Sequence, residues 1–168
     1  MAPDERTMRF ARILVPTDFS KGAENASLTA VALAAALGGR VELVHWYNPP
    51  SVMLPDGSTF PATPAQLLEV TDHAETALAD ALRTLRTRSG ERIEIEGSAR
   101  MGSAADEIVR LAATGRFDLV VMGTHGRTGI RRLMLGSVAE KVLRRASIPI
   151  LTVREPDTED ARAESDAH

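Results

Sequence analysis

The amino-acid sequence predicts an α/β protein: a three-layer α/β/α sandwich around a five-stranded parallel sheet. Two observations carry this reading. Short apolar runs alternate with helical stretches in the order βαβαβαβαβ, and each intervening segment is long enough to hold a crossover helix, which parallel pairing requires. A glycine-rich segment, V-V-M-G-T-H-G-R-T-G-I-R-R-L-M-L-G-S over 120–137, follows the fourth run where such sheets bind ligands.

Residues 12–17, R-I-L-V-P-T, form a run of the kind buried inside a parallel sheet. A turn over Asp18 to Gly22 leads into an Ala- and Leu-rich helix over 23–37, stopped by Gly38-Gly39. Residues 41–46 read as the second strand. Tyr47 to Thr63 holds four prolines and Gly57, which predicts a long irregular loop. From Pro64 to Arg88 the positions Leu67, Leu68, Thr71, Ala74, Leu78, Ala81, Leu82 and Leu85 share one helical face. The alternation over 92–98 predicts a third strand near the sheet edge. Ser103-Ala-Ala-Asp106 reads as a capping-box variant opening a helix through Thr114. Residues 119–122 form the fourth strand, 137–145 the last helix and 148–153 the fifth strand. The segment after Arg154 carries six carboxylates with almost no apolar residue, which predicts a disordered acidic tail.

Composition narrows the function. The chain has 168 residues, a net charge of −3 and no cysteine. This predicts one domain, no electrostatic footprint for nucleic acid, and no disulfide, thiolate metal site or Cys nucleophile. Without a signal peptide at the start or a membrane-spanning apolar run, a cytoplasmic protein is expected.

The glycine-rich segment is not a Walker A loop, which needs G-x-x-x-x-G-K-[ST]. Nor is it a dinucleotide fingerprint, which needs G-x-G-x-x-G directly between strand and helix. It has Gly123 and Gly126 after a strand, with Gly136-Ser137 opening a helix ten residues beyond Gly126. Backbone N–H groups exposed there and at the helix N-terminus suit a polyphosphate. Ser137 with Glu140 also spells a capping box, which by itself accounts for the serine. Together with Gly123 and Gly126 the phosphate site is favoured. Asp18, at the carboxyl end of the first strand, has the acceptor pair a ribose diol needs; an Asx turn or helix cap is the commoner use, and on the residues alone the cap is favoured. Lys21, His125, Arg127, Arg131 and Arg132 form a basic set near this segment, with Arg127 favoured over the last two for phosphate. No carboxylate lies in the loop, so ligand binding is expected over turnover; slow ATP hydrolysis or autophosphorylation is the alternative, with Thr124, Thr128, Ser137 and His125 as its reactive groups.

These residues resemble the universal stress protein family, in its ATP-binding branch. Its spacing G-x2-G-x9-G-[ST] is met by Gly123, Gly126, Gly136 and Ser137, and I-L-V-P-T-D-F-S, M-G-T-H-G-R-T-G, L-M-L-G-S-V-A-E-K-V and I-P-I-L-T-V also fit. The resemblance covers 9–154, leaving 1–8 as a flexible extension and 155–168 as the acidic tail. It implies an adenine nucleotide alpha hydrolase-like fold with strand order 3-2-1-4-5, and ATP or another adenine nucleotide as cofactor, with or without Mg2+. Pro16, Thr17 and Met122 would line the adenosine pocket, Asp18 would meet the ribose, and Trp46 the adenine through its backbone. Gly123 would approach the ribose and α-phosphate; Gly126, Arg127, Gly136, Ser137 and Val138 would hold the phosphates; Met101 and Gly102 would close over the base. The resemblance also implies a homodimer through Ile148–Val153, which would cover an apolar edge strand. The loop over 47–63 is the expected place for a protein partner or lid.

Overall fold

The computed structural model describes residues 10–49, 51–53, 57, 59–90, 92–124 and 135–154. The expected N-terminal extension, the acidic tail and residues 125–134 of the glycine-rich segment lie outside the described residues.

Chain order is β1 (Arg12–Thr17), α1 (Lys21–Leu37), β2 (Arg40–Tyr47), β3 (Ser51–Met53), β4 (Thr59–Pro61), α2 (Pro64–Ser89), β5 (Ile95–Met101), α3 (Ala104–Ala113), β6 (Leu119–Gly123), α4 (Ser137–Arg145) and β7 (Ile150–Val153). Five strands form one parallel sheet in the order β5-β2-β1-β6-β7. The numbering differs in detail from the expected 3-2-1-4-5 because β3 and β4 intervene. These two pair antiparallel as a separate ribbon, so the segment over 47–63 is not irregular throughout; residues 50, 54–56 and 58 of it lie outside the described residues.

β1 is central and its side chains alternate between two cores. Ile13 and Val15 pack with α1 and α2, while Leu14 packs with α3 and α4, and all three are completely buried. An unbroken apolar run is therefore what this strand needs, since each face meets a helical layer. β6 repeats the pattern, with Val120 on one side and Leu119 and Val121 on the other.

Several boundaries move for local reasons. β5 runs three residues later than expected because its pairing with β2 extends from Val41↔Ile95 to Tyr47↔Met101. α2 starts at a capping box that the sequence reading missed: Thr63 N–H donates to Gln66 Oε1 (2.9 Å) and Gln66 N–H to Thr63 Oγ1 (3.3 Å). Leu68 does not join the buried face; it is 62% exposed, whereas Ala74, Leu78 and Leu85 are buried. Ser103 does occupy the N-cap of α3, but its hydroxyl donates to Asp106 Oδ2 (3.0 Å) and makes no cap bond to the backbone. Asp106 also accepts from Arg145 at the end of α4 (2.7 Å). The Arg145 bond, then the Ser103 bond, hold its carboxyl below the usual range.

Candidate functional site

β1 is flanked by β2 and β6, and the chain winds away from it in both directions, so the topological switch lies between β1 and β6. At the carboxyl ends of these two strands the structure holds a cleft of about 260 Å³. Open parallel sheets leave a crevice there because the helices following neighbouring strands pack on opposite faces.

One wall comes from the end of β1, with Pro16, Thr17 and Asp18. The β1–α1 turn is tightly specified: Ser20 N–H donates to Asp18 Oδ1 (3.1 Å), an Asx turn, and Ser20 Oγ caps α1 by accepting from Ala23 N–H (3.2 Å). The Asx turn expected as the ordinary role of Asp18 is thus present, and the same residue lines the cleft. The cap itself belongs to Ser20.

The facing wall comes from the end of β6, with Met122, Gly123 and Thr124. Gly123 has a packing reason of its own. A Cβ there would stand 3.0 Å from the Gly22 carbonyl carbon and 3.1 Å from its oxygen, against the first turn of α1. Two backbones approach this closely only where one carries no side chain. Thr124, expected only as a reactive hydroxyl of the alternative reading, lies in this wall. It ties the site together, since its N–H donates to Val153 O (3.1 Å) and its carbonyl accepts from Gly136 N–H (2.8 Å).

That second bond sets the start of α4, and here the expectation is corrected. The N-cap is Gly136, not Ser137, and no side-chain cap bond forms. The capping box fails because Ser137 is already the first helical residue, which puts Glu140 one position too far along. Glu140 N–H instead donates to Gly136 O (2.9 Å) as the first ordinary helical bond. The amides of Ser137, Val138 and Ala139 are consequently among the N–H groups that a helix start leaves without an intrahelical partner, and all three residues line the cleft.

Ala23, in the first turn of α1, Trp46, at the end of β2, and Ala104, at the start of α3, complete the described lining with Gly136. The indole is 7% exposed, packed with Leu14, Ile108 and Met122, and its Nε1–H has no hydrogen-bond partner among the described residues. Met101 is not brought into the cleft. It ends the edge strand β5, two strands away from β1, and is 54% exposed. Gly102 lies nearer: its N–H donates to Tyr47 O (2.9 Å), and a Cβ there would be 4.0 Å from Trp46 Cδ1. Gly126 and Arg127, with His125, Thr128, Arg131 and Arg132, lie outside the described residues.

The cleft therefore pairs one carboxylate, Asp18, with a cluster of backbone donors at a helix N-terminus and an apolar floor. Such a set can take a ligand that is anionic at one end, hydroxylated in the middle and flat or apolar at the other. Asp18 is the sole carboxylate lining it among the described residues.

Comparison with known proteins agrees with this architecture. The sequence matches the model of the universal stress protein family over residues 9–154. Universal stress protein MJ0531 of Methanocaldococcus jannaschii is 32% identical over 152 residues, spanning 89% of this chain and 85% of that protein. Universal stress protein UspA from Lactobacillus plantarum superposes with a TM-score of 0.72 at 23% identity, over 87% of this chain and 99% of that one. The universal stress protein from Archaeoglobus fulgidus in complex with dAMP superposes with a TM-score of 0.59 at 22% identity, over 86% and 98% of the two chains. The matched region runs from before β1 to the end of β7 and so contains both walls of the cleft: this chain belongs to the universal stress protein family.

Proposed function

We propose that this protein is a cytoplasmic, ATP-binding stress-response or signalling module that holds the nucleotide in the cleft between β1 and β6. The observation that supports this reading is the N-terminus of α4, which has no side-chain cap among the described residues and whose first three residues line the same cleft as Asp18. A helix start without a side-chain cap leaves its donors and its partial positive charge for an anion. In this reading the phosphates lie on Ser137 and Val138 beside Gly136. Asp18 accepts from the ribose, and the adenosine lies against Pro16, Thr17, Trp46, Met122 and Gly123. Binding of dAMP by a structural neighbour is in keeping with an adenine nucleotide. Asp18 offers one carboxylate among the described lining, so any Mg2+ would be held chiefly by phosphate oxygens and water, as is usual for this ion.

The test is calorimetric titration with ATP and Mg2+ of the parent chain and a Gly136→Val, Ser137→Ala double variant. The valine places a branched side chain where the phosphates would approach, and affinity is expected to fall by at least about tenfold, the worth of one charge-assisted hydrogen bond. Equal affinities would remove α4 from the site. Mass spectrometry of nucleotide released from the purified protein identifies the natural ligand.

We also propose a homodimer through the Ile148–Val153 edge. Among the described residues β7 pairs with β6 on one side only, and Leu151 on it is 37% exposed. A free apolar strand edge is a pairing template, and a two-fold copy covers it. Leu151→Glu is expected to convert the dimer to monomer on size-exclusion chromatography; an unchanged elution volume defeats the assignment.

A further inference from the structure

Phe19 has a φ of +63°, the one non-glycine with positive φ among the described residues. A left-handed backbone is unfavourable for an aromatic residue and persists only where its surroundings over-determine it. The surroundings here are specific. Phe19 N–H donates to Thr17 Oγ1 (3.0 Å), and the following amide, Ser20 N–H, donates to Asp18 Oδ1. The Phe19 ring lies 4.4 Å from the His45 imidazole, centroid to centroid, and packs onto the core shared with α1 and α2. His45 in turn is fastened to the same turn: its Nδ1 is 2.8 Å from Thr17 O. A carbonyl only accepts, so Nδ1 carries the proton and donates. Beyond it the Tyr47 ring stacks at 6.3 Å, with its hydroxyl 3.1 Å from Thr71 Oγ1 on α2.

The reversal at Phe19 separates two neighbours. Thr17 and Asp18 line the cleft, whereas the Phe19 ring goes to the helical layer of α1 and α2. We propose that Phe19 and His45 are positioning residues: their ring contact holds the left-handed turn that presents the Asp18 carboxylate to the ligand. For the identity of that ligand the inference rests on the nucleotide reading above; for the geometry of the turn it does not. If the ring contact is lost, Phe19 relaxes to an ordinary backbone conformation, the Asp18–Ser20 bond opens, and the acceptor pair no longer sits at the cleft mouth.

The experiment measures amide hydrogen exchange of Ser20 by NMR in the full chain, because that amide is protected by Asp18 itself. Phe19→Ala and His45→Ala are expected to speed its exchange about tenfold, the value of one hydrogen bond, with the amides of β1 unchanged. Phe19→Tyr, which keeps the ring, is expected to restore parent behaviour. Phe19→Gly guards against misfolding, since glycine accepts φ of +63° at no steric cost; it is expected to fold yet exchange fast at Ser20, because backbone permission alone does not hold the turn. In the same variants the preference for ATP over 2′-deoxy-ATP is expected to fall about tenfold, as for any lost polar contact to a ligand hydroxyl. Unchanged Ser20 exchange in both Phe19→Ala and Phe19→Gly overturns the proposal. A parent protein that binds ATP and its deoxy analogue equally, with Ser20 exchange responding as expected, would instead overturn the ribose role of Asp18 and leave the turn mechanism standing.

Discussion

Trp46→Ala is expected to destabilise the protein by about 3–5 kcal/mol in urea unfolding, and Trp46→Phe by no more than about 1 kcal/mol. The indole is almost entirely buried between Leu14, Ile108 and Met122, so truncation to alanine leaves a large void in the layer under α3 and α4. Phenylalanine loses part of the same packing but removes a buried donor with no partner among the described residues. An orphaned donor of this kind costs about 1–3 kcal/mol, enough to offset most of the smaller cavity. Equal losses for the two variants would mean that the indole N–H is satisfied. Since Trp46 is the single tryptophan of the chain, its fluorescence reports unfolding in the parent, and circular dichroism serves for the variants.

Gly123→Val is expected to lower the stability of the ligand-free protein by about 1–3 kcal/mol, the usual cost of forcing extra atoms into a packed contact. Its Cβ would meet backbone atoms of Gly22 and Ala23 at 3.0–3.3 Å, and backbone cannot swing aside as a side chain does. Separation of α1 from β6 would also open the cleft, so weaker ATP binding is expected to accompany the loss. The ligand-free measurement decides between two reasons for the glycine. A variant with parent stability and impaired binding would assign Gly123 to the ligand alone, and a destabilised one assigns it to the α1 contact.

Much of this molecule was readable from residue order. β1 and β6 announce themselves as unbroken apolar runs because both faces of a central parallel strand are buried, and the bounds read for β1 agree with those found. Helix α4 agrees in both bounds for a different reason, a strong apolar stripe against a charged face. That 16–18, 122–123 and 136–138 stand around one cleft was legible because strand ends at a switch point make a crevice wherever this topology occurs. The ribbon β3-β4 was not, since prolines and glycine mark a turn without saying whether its arms pair. Met101 was placed near the ligand by the family resemblance, whereas the register of β5 on β2 carries it to the sheet edge.

The remaining differences share a cause. Ser137 could cap a helix or begin one, and local chemistry permits both; the bond from Gly136 N–H to Thr124 O, across a twelve-residue separation, goes with the second. Phe19 would adopt an ordinary backbone by propensity, and the imidazole of His45 on the neighbouring strand holds it left-handed. Gly123 is expected to approach the ribose and α-phosphate, and it also stands where α1 and β6 touch. Periodicity and spacing determined the layers, the strands and which residues reach the cleft, because those depend on patterns a few residues long. Where α4 begins, which turn is left-handed and which glycine meets a neighbouring helix were decided by tertiary structure, because each depends on an atom brought close by a different strand or helix.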